Sequence, residues 1–258
     1  MKAAIKSFLY LTAIVLIIAF FGWSYVRYRA LSTPPKPPIE HAFLKSLGER
    51  AVIAYPAPSR ATDLGFLEET AKLSSSLILW INIRPRIADG TLVLARDPKE
   101  TSEAPTLTEA LERFPQHRLI LNVQGHRPEL ISSLVSTIEN VGAAHRILIQ
   151  SPEDGFLSDM RAERPFWLYG TSLAQVTQLI MLSSIGLQAM APIRGDVLVI
   201  ENEGVMMRLN DRALNEAIRR GLKIFAGPMK NKEQAIEFHK RGITGILVSD
   251  PDLISELL

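Results

Sequence analysis

The chain contains no cysteine among its 258 residues. Disulfide bonds, thiolate metal sites and cysteine nucleophiles are therefore excluded. An excess of one charge is also lacking, since 29 Lys and Arg residues oppose 27 Asp and Glu residues for a formal net charge of +2. No basic run with interleaved aromatic residues occurs, so we expect no nucleic-acid partner. No glycine-rich loop follows the first predicted strand, and a Rossmann or P-loop nucleotide site is not supported.

Ser7 to Val26 is a long segment without a charged residue. About twenty apolar residues are enough for a helix to cross the hydrocarbon core of a membrane, and Trp23, Tyr25 and Tyr28 are placed where an interfacial aromatic belt would lie. A cleaved signal peptide is the alternative, but its apolar region is shorter and precedes a small-x-small site. We predict an uncleaved anchor over residues 1–30 of a single-pass membrane protein. The flanking charges nearly balance, and a signal-anchor arrangement would place the large domain outside the cytoplasm.

Two further regions come after the anchor. Residues 31–39 contain the sequence STPPKPP, which favours extended polyproline geometry and predicts a semi-rigid linker. Residues 40–258 are long enough for one large domain.

From Glu40 onward, short apolar runs alternate with amphipathic segments, which is typical of repeated βα units and a parallel sheet. Helix boundaries are also marked, because Thr106 and Glu109 form a capping-box pattern and a glycine follows each of three predicted helices, at Gly142, Gly221 and Gly242. Another helix is predicted over Ala61 to Ser75. The predicted strands are Ala51–Tyr55, Leu77–Ile83, Arg118–Val123, Arg146–Gln150, Phe166–Tyr169, Val197–Ile200, Leu222–Ala226 and Gly245–Val248. Their number and spacing predict a (β/α)8 TIM barrel, with an open doubly wound sheet as the alternative.

One stretch concentrates polar residues at strand ends. The strand Leu77–Ile83 is followed by a turn at Asp89-Gly90 and a short strand, Thr91–Ala95. Asn82, Arg84, Arg96 and Asp97 fall where these two strands end, and α/β folds place their chemistry at strand ends. We therefore expect a functional site here.

This stretch also resembles a known family. The sequence IADGTLVLARD, residues 87–97, is similar to the turn and following strand of glycerophosphodiester phosphodiesterases. The resemblance continues through PTLTEAL (Pro105–Leu111), LILNVQ (Leu119–Gln124), ILIQS (Ile147–Ser151) and HKRGITGILVSDPDLI (His239–Ile254). It implies a (β/α)8 barrel and phosphoric diester hydrolysis in lipid metabolism, with two histidines as acid and base, an arginine on the phosphate and three carboxylates on a divalent metal.

Most of the residues that the resemblance implies are replaced in this chain. The family has a His-Arg-Gly motif at the end of its first strand, and this motif aligns with Tyr55-Pro56-Ala57. The family's second histidine aligns with Arg96, which cannot give up its proton. Asp97 is retained. The first two metal carboxylates align with Ile81 and Ile83 or, if the strand is one residue shorter, with Asn82 and Arg84.

The third carboxylate and its neighbouring lysine align with Asn122 and Gln124, which are neutral. Because calcium and magnesium need several anionic oxygens, we expect no metal and no cofactor. The family's sequence ends in an Asp-Pro pair, and this pair is retained as Asp250-Pro251. An Asp-Pro pair is also a common helix start.

These replacements predict a membrane-anchored phosphodiesterase-like barrel that is catalytically impaired and acts as a binding or scaffold module. Its ligand would be an anionic or phosphate-bearing small molecule, since arginines and amides dominate the expected site. Whether the chain is an enzyme stays open at this point. The candidate ligand-binding residues are Asn82, Arg84, Asn122, Gln124, Glu201 and Asp250, and the candidate catalytic residues are Arg96, Asp97 and His126.

Two alternatives remain from the sequence. One is an active phosphoric diester hydrolase with a rearranged site, in which His126, Glu201 and Asp250 meet in one cleft and a divalent metal such as Ca or Mg returns. Glu201 and Glu203 could also face the barrel mouth as an acidic pair, although a solvated loop is the favoured interpretation of this segment. The other alternative is a partner-binding barrel whose mouth is filled by Trp80 and Ile83.

Overall fold

The computed structural model describes residues 2–32, 40–45, 47–48, 50–57, 60, 62–97, 99 and 101–258. Most of the predicted proline-rich linker, residues 33–39, lies outside the described residues. The prediction of an extended linker is therefore not tested.

The N-terminal segment is one long helix, α1 (Lys2–Ser32). Its apolar part, Ile5–Tyr28, has a mean hydropathy of 2.1, and none of its residues is fully buried. A helix of this length and composition can cross a bilayer, although a signal sequence has the same properties. Trp23 and Val26, near its C-terminal end, are half-buried.

The remaining chain forms a barrel of eight parallel strands. Hydrogen bonding places the strands in the order β6-β5-β4-β2-β1-β9-β8-β7, and β3 pairs antiparallel with β2. A parallel bridge between Gly170 and Val197 joins the two ends of this order. The predicted closed barrel is confirmed, and the sheet is not open. The strands are β1 (Ala51–Ala54), β2 (Ile78–Pro85), β3 (Leu92–Leu94), β4 (Arg118–Val123), β5 (Ile147–Gln150), β6 (Leu168–Tyr169), β7 (Val197–Ile200), β8 (Lys223–Met229) and β9 (Gly245–Val248).

Helices surround the strands, and capping side chains and glycines mark where several of them begin and end. Thr106 and Glu109 make the predicted capping box at the start of α4. Gly142, Gly221 and Gly242 have φ values of 67°, 72° and 90° just beyond helix ends, a conformation that glycine adopts without strain. The helices after α1 are α2 (Ala42–Lys45), α3 (Leu64–Ala71), α4 (Leu107–Arg113), α5 (Pro128–Asn140), α6 (Asp154–Glu163), α7 (Leu173–Ser184), α8 (Glu203–Met206), α9 (Asp211–Arg219), α10 (Lys232–Lys240) and α11 (Pro251–Leu257).

The structure differs from the sequence prediction at three helices. The helix predicted over Ala61–Ser75 is the shorter α3, because the Asp63 side chain caps its start and the Ser74 and Ser76 hydroxyls bond to each other at 2.8 Å beyond its end. The short helices α2 and α8 were not predicted. Neither is long enough to produce a helical hydrophobic period.

The core has two layers, one inside the barrel and one between strands and helices. Trp80 and Phe225 fill the interior, and Phe43 of α2 closes the barrel at the N-terminal ends of the strands. On β2, Ile81 and Ile83 pack with the outer layer, whereas Trp80 belongs to the interior. Because side chains alternate along a strand, Asn82 and Arg84 also face inward. The resemblance therefore applies in the register that places Asn82 and Arg84 at the first two carboxylate positions.

Candidate functional site

A cavity of about 330 Å³ opens at the C-terminal ends of the strands. Both the strand ends and the loops beyond them contribute to it, as expected for a barrel of this kind. Its lining is Tyr55, Arg84, Arg96, Asn122, Gln124, Gln150, Pro152, Leu173, Val176, Val199, Ile200, Glu201, Asn202 and Val205. This open volume argues against a mouth filled by apolar side chains, and Ile83 faces the helices instead.

The β2–β3 hairpin positions the two cationic side chains of the cavity. Ala95 donates its backbone N–H to the carbonyl of Asn82 at 3.0 Å, which holds the end of β3 against β2. Arg84 Nε then donates to the carbonyl of Arg96 at 2.7 Å. The Arg96 side chain interacts with Tyr55 through a hydrogen bond and lies close enough to Glu201 to affect its charge.

A chain of buried amides runs beneath these arginines. Trp80 Nε1 donates to Asn82 Oδ1 at 3.2 Å, and Asn122 Nδ2 donates to the same oxygen at 2.9 Å. Because the indole N–H can only donate, it fixes the orientation of the Asn82 amide, and Asn122 must present its NH2 group to that oxygen. Asn122 Nδ2 also lies 3.4 Å from Glu201 Oε2. The arrangement leaves Asn122 Oδ1 buried without a hydrogen-bond partner among the described residues.

Gln150 provides a second amide to the cavity and depends on a neighbouring glycine. Its Nε2 donates to the carbonyl of Thr171 at 3.1 Å, while its Oε1 is buried without a partner in the described part of the chain. A Cβ at position 170 would lie 1.8 Å from that Oε1, so Gly170 makes room for the amide. Buried polar atoms of this kind are normally paired, which points to a ligand or a water as the missing partner.

Glu201 is the one carboxylate among the described residues that line the cavity. Burial raises the pKa of its carboxyl, and the Arg96 guanidinium acts in the opposite direction. Burial and the Glu201 charge raise the pKa of Tyr55 to about 12, against the effect of Arg96. Tyr55 is therefore protonated at neutral pH and can donate a hydrogen bond, but it is a poor proton shuttle.

The residues of the cavity do not fit the divalent metal that the resemblance implies. Asn82 Oδ1 already accepts two hydrogen bonds, and Arg84 brings a positive charge to the neighbouring position. No group of three or more histidine or acidic side chains gathers as metal ligands within the described ranges. A calcium or magnesium ion needs several anionic oxygens, and this donor set is mostly neutral or cationic.

The structure brings together some of the candidate residues and separates others. Arg84, Arg96, Asn122, Gln124 and Glu201 line the cavity, and Asn82 lies beneath it. The remaining candidates do not line it: Asp97 is exposed and accepts from the Lys99 backbone N–H at 2.9 Å, His126 pairs with Asp159 at 2.8 Å, and Asp250 caps the start of α11.

Glu203 also lies apart from Glu201, because it begins α8 and pairs with Lys230. The acidic pair, which was the less favoured interpretation of this segment, therefore does not form. Tyr55 and Gln150 were not among the sequence candidates, although each ends a predicted strand that leads into the mouth, and this position was the available signal.

A second, larger cavity of about 710 Å³ adjoins the first along the β2–β3 hairpin. Arg84 and Gln124 line both cavities, and Arg127 lines the second one alone. The two spaces therefore share a wall at the Arg84 side chain.

Known structures resemble the whole barrel. A phosphodiesterase from Oleispira antarctica, solved with the product sn-glycerol-3-phosphate, is 17% identical with a TM-score of 0.63, and the match covers 84% of this chain and 99% of that one. A glycerophosphoryl diester phosphodiesterase domain from Mycobacterium tuberculosis is 14% identical with a TM-score of 0.64, covering 81% and 99%. A glycerophosphodiester phosphodiesterase from Parabacteroides distasonis is 14% identical with a TM-score of 0.61, covering 81% and 96%.

The chain has the glycerophosphodiester phosphodiesterase fold. No family model and no curated protein matches the sequence. The likeness therefore extends over nearly all of each phosphodiesterase structure but shows the fold alone at these identities. What the cavity does must be argued from its own residues.

Proposed function

We propose that this chain is a membrane-anchored barrel of the glycerophosphodiester phosphodiesterase fold that binds a phosphate-bearing or other anionic small ligand without metal-dependent hydrolysis. The observation that carries the proposal is the chemistry of the 330 Å³ cavity, which presents Arg84 and Arg96 beside neutral amides. Guanidinium groups bind phosphate and carboxylate oxygens through charge-assisted hydrogen bonds. The same cavity offers a single carboxylate among its described lining residues, Glu201, whose pKa is raised by burial against the effect of Arg96.

The amide groups suggest a hydroxyl-bearing ligand. Asn122 Oδ1 and Gln150 Oε1 are acceptors without a partner among the described residues. A ligand hydroxyl can donate to such an oxygen, whereas a phosphate dianion cannot. A polyol phosphate combines both features, and the Oleispira antarctica phosphodiesterase binds such a compound, sn-glycerol-3-phosphate. We take this compound as the first probe.

Helix α1 is the proposed membrane anchor. Its apolar part spans Ile5–Tyr28, which exceeds the length needed to cross the hydrocarbon core. We further propose that the barrel lies outside the cytoplasm, since a signal anchor of this type exports the domain attached to its C-terminal end. Sodium carbonate extraction and protease protection of the full chain in cells would test both statements.

The alternative of a rearranged hydrolase finds less support. It requires His126, Glu201 and Asp250 to meet in one cleft, and of these three only Glu201 lines the cavity. His126 is bound to Asp159, and Asp250 is bound to the backbone of α11. General acid–base catalysis requires such groups within hydrogen-bonding reach of one reacting centre.

Calorimetric titration of the purified full chain with sn-glycerol-3-phosphate tests the proposal. We expect saturable binding that persists in EDTA, and no binding of glycerol alone. A parallel assay should find no hydrolysis of glycerophosphoglycerol with calcium, magnesium or manganese. Measurable turnover that is lost when a side chain of the cavity is replaced, as in Arg84→Gln or Glu201→Gln, would contradict the binding-module proposal.

A further inference from the structure

Exposed apolar side chains occur at both ends of the barrel. At the cavity end, Ile87 is 81% exposed and Met207 is 76% exposed. At the other end, Met181 is 65%, Ile185 is 60% and Met190 is 48% exposed. Exposure alone does not say which end faces a membrane. The position of α1 decides between them.

Helix α7 runs from the cavity end of the barrel to the opposite end. Leu173 and Val176, in its first turn and a half, line the cavity, and Ser184 is its last residue. Twelve helical residues rise about 18 Å, so the chain beyond α7 lies at the end of the barrel remote from the cavity mouth. Met181 and Ile185 are four positions apart and therefore lie on one face of this end of the helix.

Helix α1 meets the barrel at that remote end. An ideal Cβ on Gly186 would lie 3.7 Å from the Trp23 ring and 3.8 Å from the Arg27 guanidinium. Helix α1 also contacts the turn Gln188–Met190. Trp23 and Arg27 belong to the last two turns of the apolar span, where tryptophan and arginine mark the membrane–water interface. Residues Ile185 to Met190 consequently lie at the depth of that interface.

Two features keep this end of the barrel in place. The Arg220 guanidinium donates to the carbonyls of Ala189 and Ala191, each at 2.8 Å, and to the Glu216 carboxylate at 2.7 Å, which fixes the turn that α1 contacts. The eight peptide steps from Ser32 to Glu40 reach at most about 29 Å. They lead to α2, whose Phe43 closes the barrel at this same end.

We infer that the end of the barrel formed by Met181, Ile185 and Met190 rests on the bilayer that α1 spans, and that the cavity opens away from it. The ligand then reaches the cavity from the aqueous phase and is not a lipid held in that bilayer. This inference depends on the proposed membrane anchor and adds an orientation to it. It also restricts the ligand of the proposed binding function to a water-soluble compound.

Site-directed spin labelling of the full chain tests the orientation, since a chain without cysteine allows one label at a time. The variants are Ile185→Cys and Met190→Cys at the remote end, and Ile87→Cys and Met207→Cys as matched exposed positions at the mouth. Ile14→Cys labels the middle of α1. Each labelled chain is reconstituted in phosphatidylcholine–phosphatidylglycerol vesicles, and collisions of the nitroxide with oxygen and with a water-soluble nickel chelate are compared. Circular dichroism verifies that each variant is folded.

We expect the oxygen-to-nickel ratio at positions 185 and 190 to exceed that at positions 87 and 207 several-fold, with the highest ratio at position 14. A deep label at position 14 combined with a higher ratio at the mouth, or with equal aqueous ratios at both ends, would overturn the orientation and leave the anchor intact. An aqueous label at position 14 would refute the anchor itself, and the orientation with it.

Discussion

Replacing Glu201 by glutamine should strengthen anion binding at alkaline pH and flatten its pH dependence. Burial raises the pKa of this carboxyl, so it stays neutral to a higher pH than an exposed glutamate. As the pH rises through the raised pKa, a negative charge develops inside the cavity. The affinity of the wild-type chain for an anion should therefore fall with rising pH, and Glu201→Gln should not show this fall.

The size of the effect can be worked out from the cavity. A space of 330 Å³ is about 9 Å across, so an anion at its centre lies about 4–5 Å from a carboxylate in the wall. Coulomb repulsion at that distance is about 1 kcal/mol with the dielectric constant of water and about 4 kcal/mol with an effective constant of 20. Since the cavity is open to solvent, we expect the lower end, or roughly a fivefold tighter Kd for the variant at alkaline pH.

Titration calorimetry with glycerophosphoglycerol from acid to alkaline pH provides the assay, because this diester keeps one charge throughout. Glu203→Gln is the matched control, since Glu203 lies two residues further on, is exposed and pairs with Lys230 outside the cavity. Weaker binding by Glu201→Gln at every pH would exclude charge repulsion and would mean that the carboxylate accepts a hydrogen bond from the ligand.

The raised pKa of Glu201 also predicts how the stability of the protein changes with pH. A carboxyl whose pKa is raised by folding binds its proton more tightly in the folded state, so its contribution to the free energy of unfolding decreases as the pH rises above the ordinary value. The difference in melting temperature between Glu201→Gln and the wild-type chain should therefore grow in favour of the variant as the pH rises. Thermal unfolding followed by circular dichroism measures it. An unchanged difference across the pH range would contradict the raised pKa.

Three further predictions concern single side chains. Arg84→Gln should weaken binding of sn-glycerol-3-phosphate by about 1.5–3 kcal/mol, or roughly 10- to 150-fold in Kd, whereas Arg127→Gln on the adjoining cavity should not; equal losses in calorimetry would contradict this assignment. Gly170→Ala should lower the free energy of unfolding by about 1–3 kcal/mol, because the new Cβ displaces the Gln150 amide. Urea titration measures this loss, and an unchanged midpoint would contradict the close packing of Gln150 on Gly170. Glu216→Gln should lower the free energy of unfolding by about 3 kcal/mol at pH values above the ordinary glutamate pKa, and by progressively less as the pH falls. Burial acts to raise the pKa of this carboxyl, but hydrogen bonds from two arginines lower it overall, so a loss independent of pH would exclude the ion pair as its cause.

The barrel was predictable because its signals are local and repeat along the chain. Apolar strand runs, the Thr106–Glu109 capping box and the glycines after helices all indicate repeated βα units. The choice between a closed barrel and an open sheet needed the structure, in which a bridge between Gly170 and Val197 joins the ends of the sheet. The short helices α2 and α8 carry no such repeat. Their positions depend on tertiary contacts, such as the packing of Phe43 under the barrel.

The site was predictable only in part, because proximity to a strand end does not fix where a side chain points. Arg96 and Asp97 are neighbours in sequence, yet Arg96 lines the cavity, whereas the Asp97 carboxylate lies outside it and accepts a hydrogen bond from the Lys99 backbone N–H. The choice between Ile83 and Arg84 likewise needed the structure, since a one-residue shift in register exchanges the two faces of β2. Asn82 and Trp80 share the inner face, where the Asn82 amide oxygen accepts a hydrogen bond from the Trp80 indole N–H.

Phosphorus NMR of glycerophosphoglycerol mixed with the full-length chain and calcium tests the central claim most directly, since one spectrum reports both binding and hydrolysis. If the barrel binds the diester without hydrolysing it, the diester signal shifts or broadens to the same extent before and after EDTA is added, and it persists without conversion. A growing phosphomonoester signal that EDTA abolishes would contradict it.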